Sequence, residues 1–196
     1  KTRVSYNSLA HRTTWLRFDL ELRVRFGDHI YTMDERVTLE DAVATLLREQ
    51  ELTVTTVESC TGGLLAGRLV NVPGVSEVFK QGFVTYSNKA KRKLVGVKKT
   101  TLKEFGAVSD RTAREMAKGA ILMTGSDAAV AVTGIAGPDG GSEEKPVGLV
   151  YIAAAVRGQT YVQECHFTGD RAKIRESSVA AALTLLRRGI LETAEG

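Results

Sequence analysis

Apolar and polar positions follow two different patterns along the chain. Over 18–26 they alternate, in FDLELRVRF, which is typical of a half-buried β-strand. From Thr38, which can cap a helix, apolar residues recur at helical spacing, and Asp41 lies in the first turn. The change predicts a domain boundary, with a short β-containing segment over 1–36 and the main domain over 37–196.

Strands and helices are predicted to alternate through the rest of the chain. The predicted strands cover 53–58, 79–86, 127–133, 147–156 and 160–167, and the predicted helices are 64–70, one that begins around Lys91, one capped by Ser109 and one opened by Asp170. The last two strands form a hairpin that turns at Arg157 and Gly158. Strands covered by helices predict a layered α/β/α sandwich, and the hairpin makes its sheet mixed.

The composition indicates a soluble cytoplasmic protein. The hydrophobic fraction of 43% supports a sizeable core, and the apolar run over 147–156 is far shorter than the ~20 residues that a membrane-spanning helix needs. Cys60 and Cys165 have neither the number nor the spacing of a disulfide framework or a zinc site, so a reducing compartment is expected. The N-terminus lacks both an initiating Met and the apolar core of a secretory signal, which indicates a fragment.

The net charge of +4 favours anionic ligands such as phosphates. The densest basic run, KAKRK over 89–93, is accompanied by few aromatic residues that can stack on bases. We therefore expect most of this run to form a solvated helix face, and we do not expect nucleic acid as a partner.

The strongest local signal for chemistry is ESCTGG over 58–63, between a predicted strand and a predicted helix. A nucleophile at such a junction is exposed and faces backbone N–H groups that suit an oxyanion or a phosphate. The alternative is a tight turn in which Ser59 and Thr61 only cap the helix. Cys60 is a rival nucleophile, because a helix N-terminus lowers the pKa of a thiol, although small thiols are more commonly buried.

An activated serine needs a base, and the predicted main domain contains a single histidine, His166. His166 lies in an alternating strand, where a surface role is more common than catalysis. A lysine whose pKa is lowered by burial or by neighbouring cations can serve instead. Lys91 follows a strand, lies among other cations, and has Tyr86 nearby to hold or relay a proton.

Five motifs, in order, resemble one known family. They are ESCTGG at 58–63, FVTYSNKAK at 83–91, GAVS at 106–109, VTGIAGPDGGSEEKPVG at 132–148 and FTGDR at 167–171. Together they resemble the CinA C-terminal family, the nicotinamide mononucleotide deamidases, over roughly 37–193. A set of motifs in the same order is much more specific than any single motif.

The resemblance implies a serine amidohydrolase that converts nicotinamide mononucleotide to nicotinic acid mononucleotide and ammonia, in NAD recycling. By the family pattern Ser59 is the nucleophile, Lys91 the base and Tyr86 a further site residue. The positions expected to contact the substrate are Cys60, Thr61, Gly62, Gly63, Asn88, Thr133, Gly134, Ile135, Ala136, Gly137, Arg171 and Arg175. Of these, Arg171 or Arg175 would hold either anionic substrate groups or the catalytic polar network. N–H groups over 60–62 would hold the oxyanion, and the glycine-rich loop after Thr133 would suit a ribose phosphate, unless it is only a flexible turn.

The same resemblance bears on partners and on the N-terminal segment. It implies no cofactor and no metal ion, a homodimer, and N-terminal CinA domains in the full-length protein. Residues 22–31 resemble the end of the KH-like middle region of those proteins. Two departures are that Val57 stands where Ala often precedes the Glu, and that Glu51 stands where a Gly usually ends the first helix.

Two other functions fit parts of the sequence. One is a non-catalytic nucleotide-binding module that scaffolds partners in competence or DNA-damage responses. The other is a nucleic-acid binder that uses the KH-like remnant and the lysine run, although half a KH unit lacks the fold that clamps nucleotides. The presence of both Ser59 and Lys91 favours the enzyme.

Overall fold

The computed structural model describes residues 31, 32 and 34–194, within which the elements below belong to the compact unit Val37–Gly196. The predicted strand over 18–26 and the KH-like resemblance over 22–31 lie, apart from Tyr31, outside the described residues. The assignment of 1–36 to a separate segment stays a prediction.

Six helices and five strands make up this unit. The helices are α1 (Leu39–Glu49), α2 (Leu64–Leu69), α3 (Asn88–Val95), α4 (Lys99–Glu104), α5 (Asp110–Thr124) and α6 (Arg171–Ala194), and the strands are β1 (Val54–Glu58), β2 (Phe79–Val84), β3 (Ala128–Gly134), β4 (Leu149–Val156) and β5 (Gln159–His166). A short 3₁₀ turn, Val75–Glu77, precedes β2.

The five strands form one mixed sheet in the order β2-β1-β3-β4-β5. The strands β2, β1 and β3 are parallel, while β4 and β5 run antiparallel to their neighbours. Parallel pairing requires crossover connections, which α2 and the α3–α5 segment supply. The layered α/β sandwich with a mixed sheet is therefore confirmed.

Alternate residues of each central strand face opposite helical layers. Ala129 and Ala131 of β3 pack, with Val57 of β1, against the apolar face of α5, where Ala113, Met116, Ala117 and Ala120 are buried. The helices α6, α1 and α2 cover the other face. Small side chains on α5 and β3 allow the helix to approach the sheet closely, so the floor beneath the carboxyl ends of β1 and β3 is tightly packed.

The helix caps agree with the sequence patterns. Thr38 and Asp41 form the capping box of α1, and Ser109 caps α5. Arg157 and Gly158 both have positive φ angles, of 46° and 83°, as a two-residue hairpin turn requires. Glu51 after α1 has a φ of 53°, the left-handed conformation that explains why Gly suits this position.

Predicted strand boundaries differ from the observed ones by at most two residues, but the helix predicted to begin around Lys91 begins at Asn88, and the short helix α4 was not predicted. The strand predicted over 79–86 ends at Val84, because the chain leaves the sheet there and Ser87 caps α3 by accepting from the N–H of Ala90. On α6 the sequence pattern predicts a buried face of Ile174, Ser178, Ala181, Ala182, Leu185 and Leu186. The observed buried set also includes Val179 and Leu183, while Ala181 is only partly buried.

Candidate active site

The candidate site lies where the direction of strand addition reverses. From β1 the chain crosses to β2 on one side, and from β2 it returns to β3 on the other side of β1. Ligands of open α/β sheets bind at such switch points, outside the carboxyl ends of the strands. Ser59 directly follows β1, and its N–H donates to the carbonyl of Val132 in β3 at 2.9 Å.

Ser59 and Lys91 meet at this position. The Nζ atom of Lys91 lies 2.8 Å from Ser59 Oγ and 2.8 Å from the carbonyl oxygen of Thr85. Lys91 is 1% exposed and Ser59 is 8% exposed. The two residues that the family pattern names as base and nucleophile are therefore in direct contact, 32 residues apart in the chain.

Burial determines the acid–base character of Lys91. Desolvation of the ammonium form lowers its pKa from 10.5 to about 8. The amine lies beside the neutral hydroxyl of Ser59 and a backbone carbonyl. Among the described residues it forms no salt bridge. A substantial neutral fraction near pH 8 is what a general base for a serine needs.

The N-terminus of α2 is occupied by a side chain of the protein itself. The carboxylate of Glu58, which is 1% exposed, accepts N–H bonds from Gly63, Leu65 and Ala66 at 2.9–3.0 Å. The expectation that this helix end offers a row of free donors is therefore wrong. No role was predicted for Glu58, although a carboxylate just before a predicted helix start is a signal for such a contact.

The hydrogen bonds within this turn reduce the number of N–H groups that could bind an oxyanion. The N–H of Gly62 donates to the carbonyl of Ser59 at 3.2 Å, and that of Gly63 donates to Glu58. Within the described chain, the N–H groups of Cys60 and Thr61 donate to no oxygen or nitrogen atom, and the group they influence is the thiol of Cys60. These two groups remain as donors beside Ser59 Oγ.

Arg175 of α6 hydrogen-bonds to the backbone of this turn. Its Nε donates to the carbonyl of Cys60 at 3.0 Å and its Nη2 to the carbonyl of Thr61 at 2.8 Å. The expected role for Arg175 was either to hold substrate anions or to support the polar network, and these bonds favour support. The hydroxyl of Thr61 is buried and has no partner within the part of the chain that the structure describes.

Neither rival of the serine–lysine pair has suitable properties. Burial raises the pKa of the Cys60 thiol to about 11, against the smaller opposing effects of the Cys60 and Thr61 N–H groups and the charges of Lys91 and Arg175. His166 is exposed on β5 and pairs with Glu164 at 2.8 Å. Its strand lies three positions from β1, roughly 14 Å at ~4.8 Å per strand.

Tyr86 and Arg171 lie together at the rim rather than in the dyad. Arg171 donates from Nη2 to the Tyr86 hydroxyl at 3.2 Å and from Nη1 to the carbonyl of Gly137 at 2.8 Å. Tyr86 is 62% exposed. The Tyr86 hydroxyl is thus hydrogen-bonded to Arg171, while the amine of Lys91 is bonded to Ser59 and Thr85. Tyr86 and Lys91 are therefore not hydrogen-bonded to each other, as a proton relay through Tyr86 would require.

The glycine-rich loop after β3 is anchored at its base. Ile135 donates to and accepts from the backbone at Leu149 and Gly148, and Ala136 and Gly137 are buried. At Gly134 any side chain would collide with Val150, because an added Cβ would lie 2.6 Å from its methyl group. The loop is therefore fixed where it meets the sheet, and its exposed part begins after Gly137, whose peptide bond to Pro138 is cis.

A second loop adjoins this one and was missed as a site element. Thr133 donates from its hydroxyl to the carbonyl of Ala107 at 2.8 Å, which joins β3 to the GAVS segment. Lys145 donates to the carbonyls of Phe105 and Val108 at 2.7 and 2.8 Å. Thr133 is thus a structural contact between loops, and Lys145 ties the glycine-rich segment to the start of α5.

Asn88 is separated from the other site residues by its position on the outer face of α3. With Lys89, Arg92, Lys93 and Lys99 it lines a cleft of about 560 Å³. The expected solvated face of the basic run is confirmed for these exposed cations, and Lys91 is the exception that points inward.

Two further findings concern metals and membranes. Among the described residues, no cluster of three or more His, Cys, Asp or Glu side chains is arranged to hold a metal ion. No helix within 34–194 combines the length and the apolar character needed to cross a membrane.

Comparison with known proteins finds one family. The model of the CinA C-terminal domain matches residues 36–190. A putative competence-damage inducible protein of Clostridium novyi is 53% identical over 171 residues, which are 87% of this chain and 41% of that protein. A CinA-like protein of Kosmotoga olearia is 51% identical, with the same coverage. The chain therefore spans about two fifths of the length of these curated relatives.

Solved structures agree with this result. The competence/damage inducible protein CihA from Agrobacterium tumefaciens superposes with a TM-score of 0.76 at 47% identity, covering 78% of this chain and 93% of that one. A CinA superfamily protein from Escherichia coli superposes with a TM-score of 0.74 at 35% identity, covering 83% and 97%. The chain belongs to the CinA C-terminal domain family.

Proposed function

We propose that this protein is an amidohydrolase that deamidates nicotinamide mononucleotide to nicotinic acid mononucleotide and ammonia. The observation that carries the proposal is the 2.8 Å contact between Ser59 Oγ and a buried Lys91 whose pKa is lowered to about 8. A buried lysine without a carboxylate partner is costly to the fold, and activation of a nucleophile is a common reason for such an arrangement.

In the proposed mechanism, neutral Lys91 accepts the Ser59 proton while Ser59 Oγ attacks the carboxamide carbon. The negative charge that develops on the carbonyl oxygen faces the free N–H groups of Cys60 and Thr61. The tetrahedral intermediate collapses as Lys91 returns the proton to the leaving nitrogen, which departs as ammonia and leaves a serine ester.

Water completes the cycle by the same steps in reverse order. Lys91 takes one proton from the water, whose oxygen attacks the ester carbon, and returns it to Ser59 as the carboxylic acid product leaves; the acid then releases its proton to solvent and becomes the carboxylate. The carbonyl of Thr85, 2.8 Å from Nζ, accepts one N–H of the amine and so directs its lone pair toward Ser59. All proton transfers thus pass through one nitrogen.

Wider features of the proposal rest on the family resemblance. We propose that the substrate phosphate contacts the exposed part of the glycine-rich loop, near Arg171. A cytoplasmic location, a homodimer, a role in NAD salvage and attached N-terminal CinA domains belong to the same proposal.

The test is turnover of nicotinamide mononucleotide, without added metal, by the wild type and by Ser59→Ala and Lys91→Met. Ammonia and nicotinic acid mononucleotide are both measured. We expect equal amounts of the two products from the wild type and at least a 10³-fold loss in each variant, since general acid–base catalysis alone contributes about 10²–10⁴.

Lys89→Met is the matched control, because Lys89 is an exposed lysine on the same helix. We expect it to keep wild-type turnover. A folded wild type that releases no ammonia would favour the non-catalytic nucleotide-binding module, and an active Ser59→Ala variant would contradict the serine mechanism.

A further inference from the structure

Charged side chains hold the turn that follows Ser59 on two sides. Glu58 contacts it from the interior of the domain and Arg175 from α6. We propose that Glu58 and Arg175 are positioning residues, which fix this turn so that the N–H groups of Cys60 and Thr61 face the reacting carbonyl oxygen. The inference rests on the proposed amide hydrolysis and deepens it.

The geometry of the peptide unit connects Arg175 to the Thr61 donor. A trans peptide is planar, so its C=O and N–H point in opposite directions. Arg175 donates to the carbonyl of Cys60 at 3.0 Å, so this carbonyl points toward α6. The N–H of Thr61, in the same peptide unit, therefore points away from α6. Its second bond, to the carbonyl of Thr61 at 2.8 Å, fixes the next peptide and with it the N–H of Gly62.

The N–H of Gly62 carries this constraint back to the nucleophile. It donates to the carbonyl of Ser59 at 3.2 Å, which fixes the plane of the peptide between Ser59 and Cys60. The N–H of Cys60 belongs to that same peptide and so acquires a fixed direction. Both free donors beside Ser59 Oγ are therefore oriented by a chain of bonds that begins at the Arg175 guanidinium.

Glu58 fixes the far end of the turn. Its carboxylate accepts three N–H bonds from Gly63, Leu65 and Ala66, so the end of the turn and the start of α2 cannot rotate independently. Since Glu58 is the last residue of β1, the same side chain ties the helix to the strand that places Ser59. The helix N-terminus is thereby used for positioning, and the anion-binding capacity is left to Cys60 and Thr61.

A positioning role predicts a particular kinetic result. Arg175→Met keeps the length of the side chain but removes its donors, so the donors beside Ser59 lose their direction. Misplacement of about 1 Å costs up to about 10²-fold in rate. We expect kcat to fall 10- to 100-fold with KM within about twofold, and the pH midpoint of kcat to stay at that of the wild type, because Lys91 is unchanged.

Conservative variants separate positioning from simple loss of structure. Arg175→Lys restores one donor and is expected to recover part of the lost kcat, whereas Glu58→Gln is expected to lower kcat at least tenfold because an amide cannot accept all three N–H bonds. Arg187→Met, further along α6, is the control and is expected to match the wild type. Thermal unfolding of each variant shows whether it is folded.

A second substrate keeps this proposal separate from the proposed function. Acylation of Ser59 by p-nitrophenyl acetate, followed as a nitrophenolate burst that Ser59→Ala lacks, requires the oxyanion donors but no nicotinamide site. If the wild type shows the burst and Arg175→Met slows it at least tenfold, the positioning role stands even when nicotinamide mononucleotide is not turned over. An unchanged burst in folded Arg175→Met, or a raised KM with unchanged kcat, would overturn it.

Discussion

The two halves of the serine–lysine pair are held in opposite ways. The turn around Ser59 is bound by formal charges, the carboxylate of Glu58 on one side and the guanidinium of Arg175 on the other. Among the described residues, the hydrogen-bond partners of Lys91 are neutral oxygen atoms, those of Ser59 and Thr85. Charged side chains thus bind the backbone around the proposed nucleophile, and none forms a salt bridge with the amine of the proposed base among the described residues.

This difference follows from what each half has to do. Charge-assisted hydrogen bonds are short and strong, so they suit a turn that must not move. A carboxylate beside Lys91 would instead stabilise the ammonium form and raise its pKa. The neutral surroundings of Lys91 thus keep its pKa at about 8, and they do so at the expense of stability.

The largest expected effect on activity comes from replacing Lys91 with arginine, a residue whose positive charge is permanent. Lys91→Arg keeps a cation of similar length, but a guanidinium stays protonated at any working pH and cannot accept the Ser59 proton. We expect at least a 10³-fold loss in kcat/KM for nicotinamide mononucleotide, with Lys89→Arg unchanged. Substantial activity of Lys91→Arg would show that the lysine acts only through its charge.

The next largest effect is expected when the helix α3, which contains Lys91, is displaced. An added Cβ at Gly119 would lie 1.8 Å from the carbonyl oxygen of Val95, the last residue of α3. Gly119→Ala must therefore displace α3 from α5, and we expect a 10- to 100-fold loss in kcat together with about 1–3 kcal/mol of destabilisation.

Gly67→Ala is the matched control for this prediction. Gly67 is also a helix residue, but nothing lies within 4 Å of its missing Cβ. Alanine is favoured over glycine in a helix by about 1 kcal/mol, so this variant is expected to keep its activity and to unfold at an equal or higher temperature. Equal kcat values for the two variants would contradict a requirement for precise helix placement.

Burial of the Lys91 amine is expected to lower the free energy of unfolding. Below pH 8 Lys91 is protonated in both states, and the fall in its pKa from 10.5 to about 8 corresponds to roughly 3 kcal/mol of unfavourable folding free energy. We expect Lys91→Met to raise the free energy of unfolding at pH 7 by about 1–3 kcal/mol. Denaturant unfolding at several pH values measures this difference.

The sign of the pH dependence follows from linkage. Between about pH 8 and 10.5 the unfolded chain holds the proton that the folded protein has released, so the wild type gains stability as the pH rises. The advantage of Lys91→Met is thus largest below pH 8 and disappears above pH 10.5. A Lys91→Met variant that is less stable than the wild type at pH 7 would mean that the amine is paired rather than merely desolvated.

The smallest effect is expected at Cys60. Burial raises the pKa of this thiol to about 11, so very little thiolate exists at neutral pH. Only the backbone of Cys60 takes part in the proposed mechanism, and Cys60→Ala is expected to keep kcat within about threefold. A loss as large as that of Ser59→Ala would make Cys60 the nucleophile.

Much of the fold was predictable because its signals are local. Hydrophobic periodicity and caps such as Thr38 and Ser109 depend on neighbouring residues, and they placed the strands to within two residues, although the short helix α4 was missed. The strand order was not available from such patterns, since it depends on contacts between segments far apart in the chain.

The candidate site was predictable in identity but not in surroundings. The motifs pointed to Ser59 and Lys91, whereas nothing in the basic run distinguishes a buried lysine from its solvated neighbours; only the packing of α3 on α5 does so. Similarly, the bonds of Arg175 to Cys60 and Thr61 join residues 115 and 114 positions apart. The sequence therefore left open whether Arg175 holds a substrate anion or supports the polar network of the site, and its bonds to two backbone carbonyls favour support.

The most direct test of the central claim is the pH dependence of kcat/KM for nicotinamide mononucleotide. Because the free enzyme must present a neutral Lys91, kcat/KM is expected to rise tenfold per pH unit below the lysine pKa of about 8 and to level off above it. A profile that is flat from pH 6 to 9, or one whose midpoint lies near 6.5 as for a histidine base, would contradict the account.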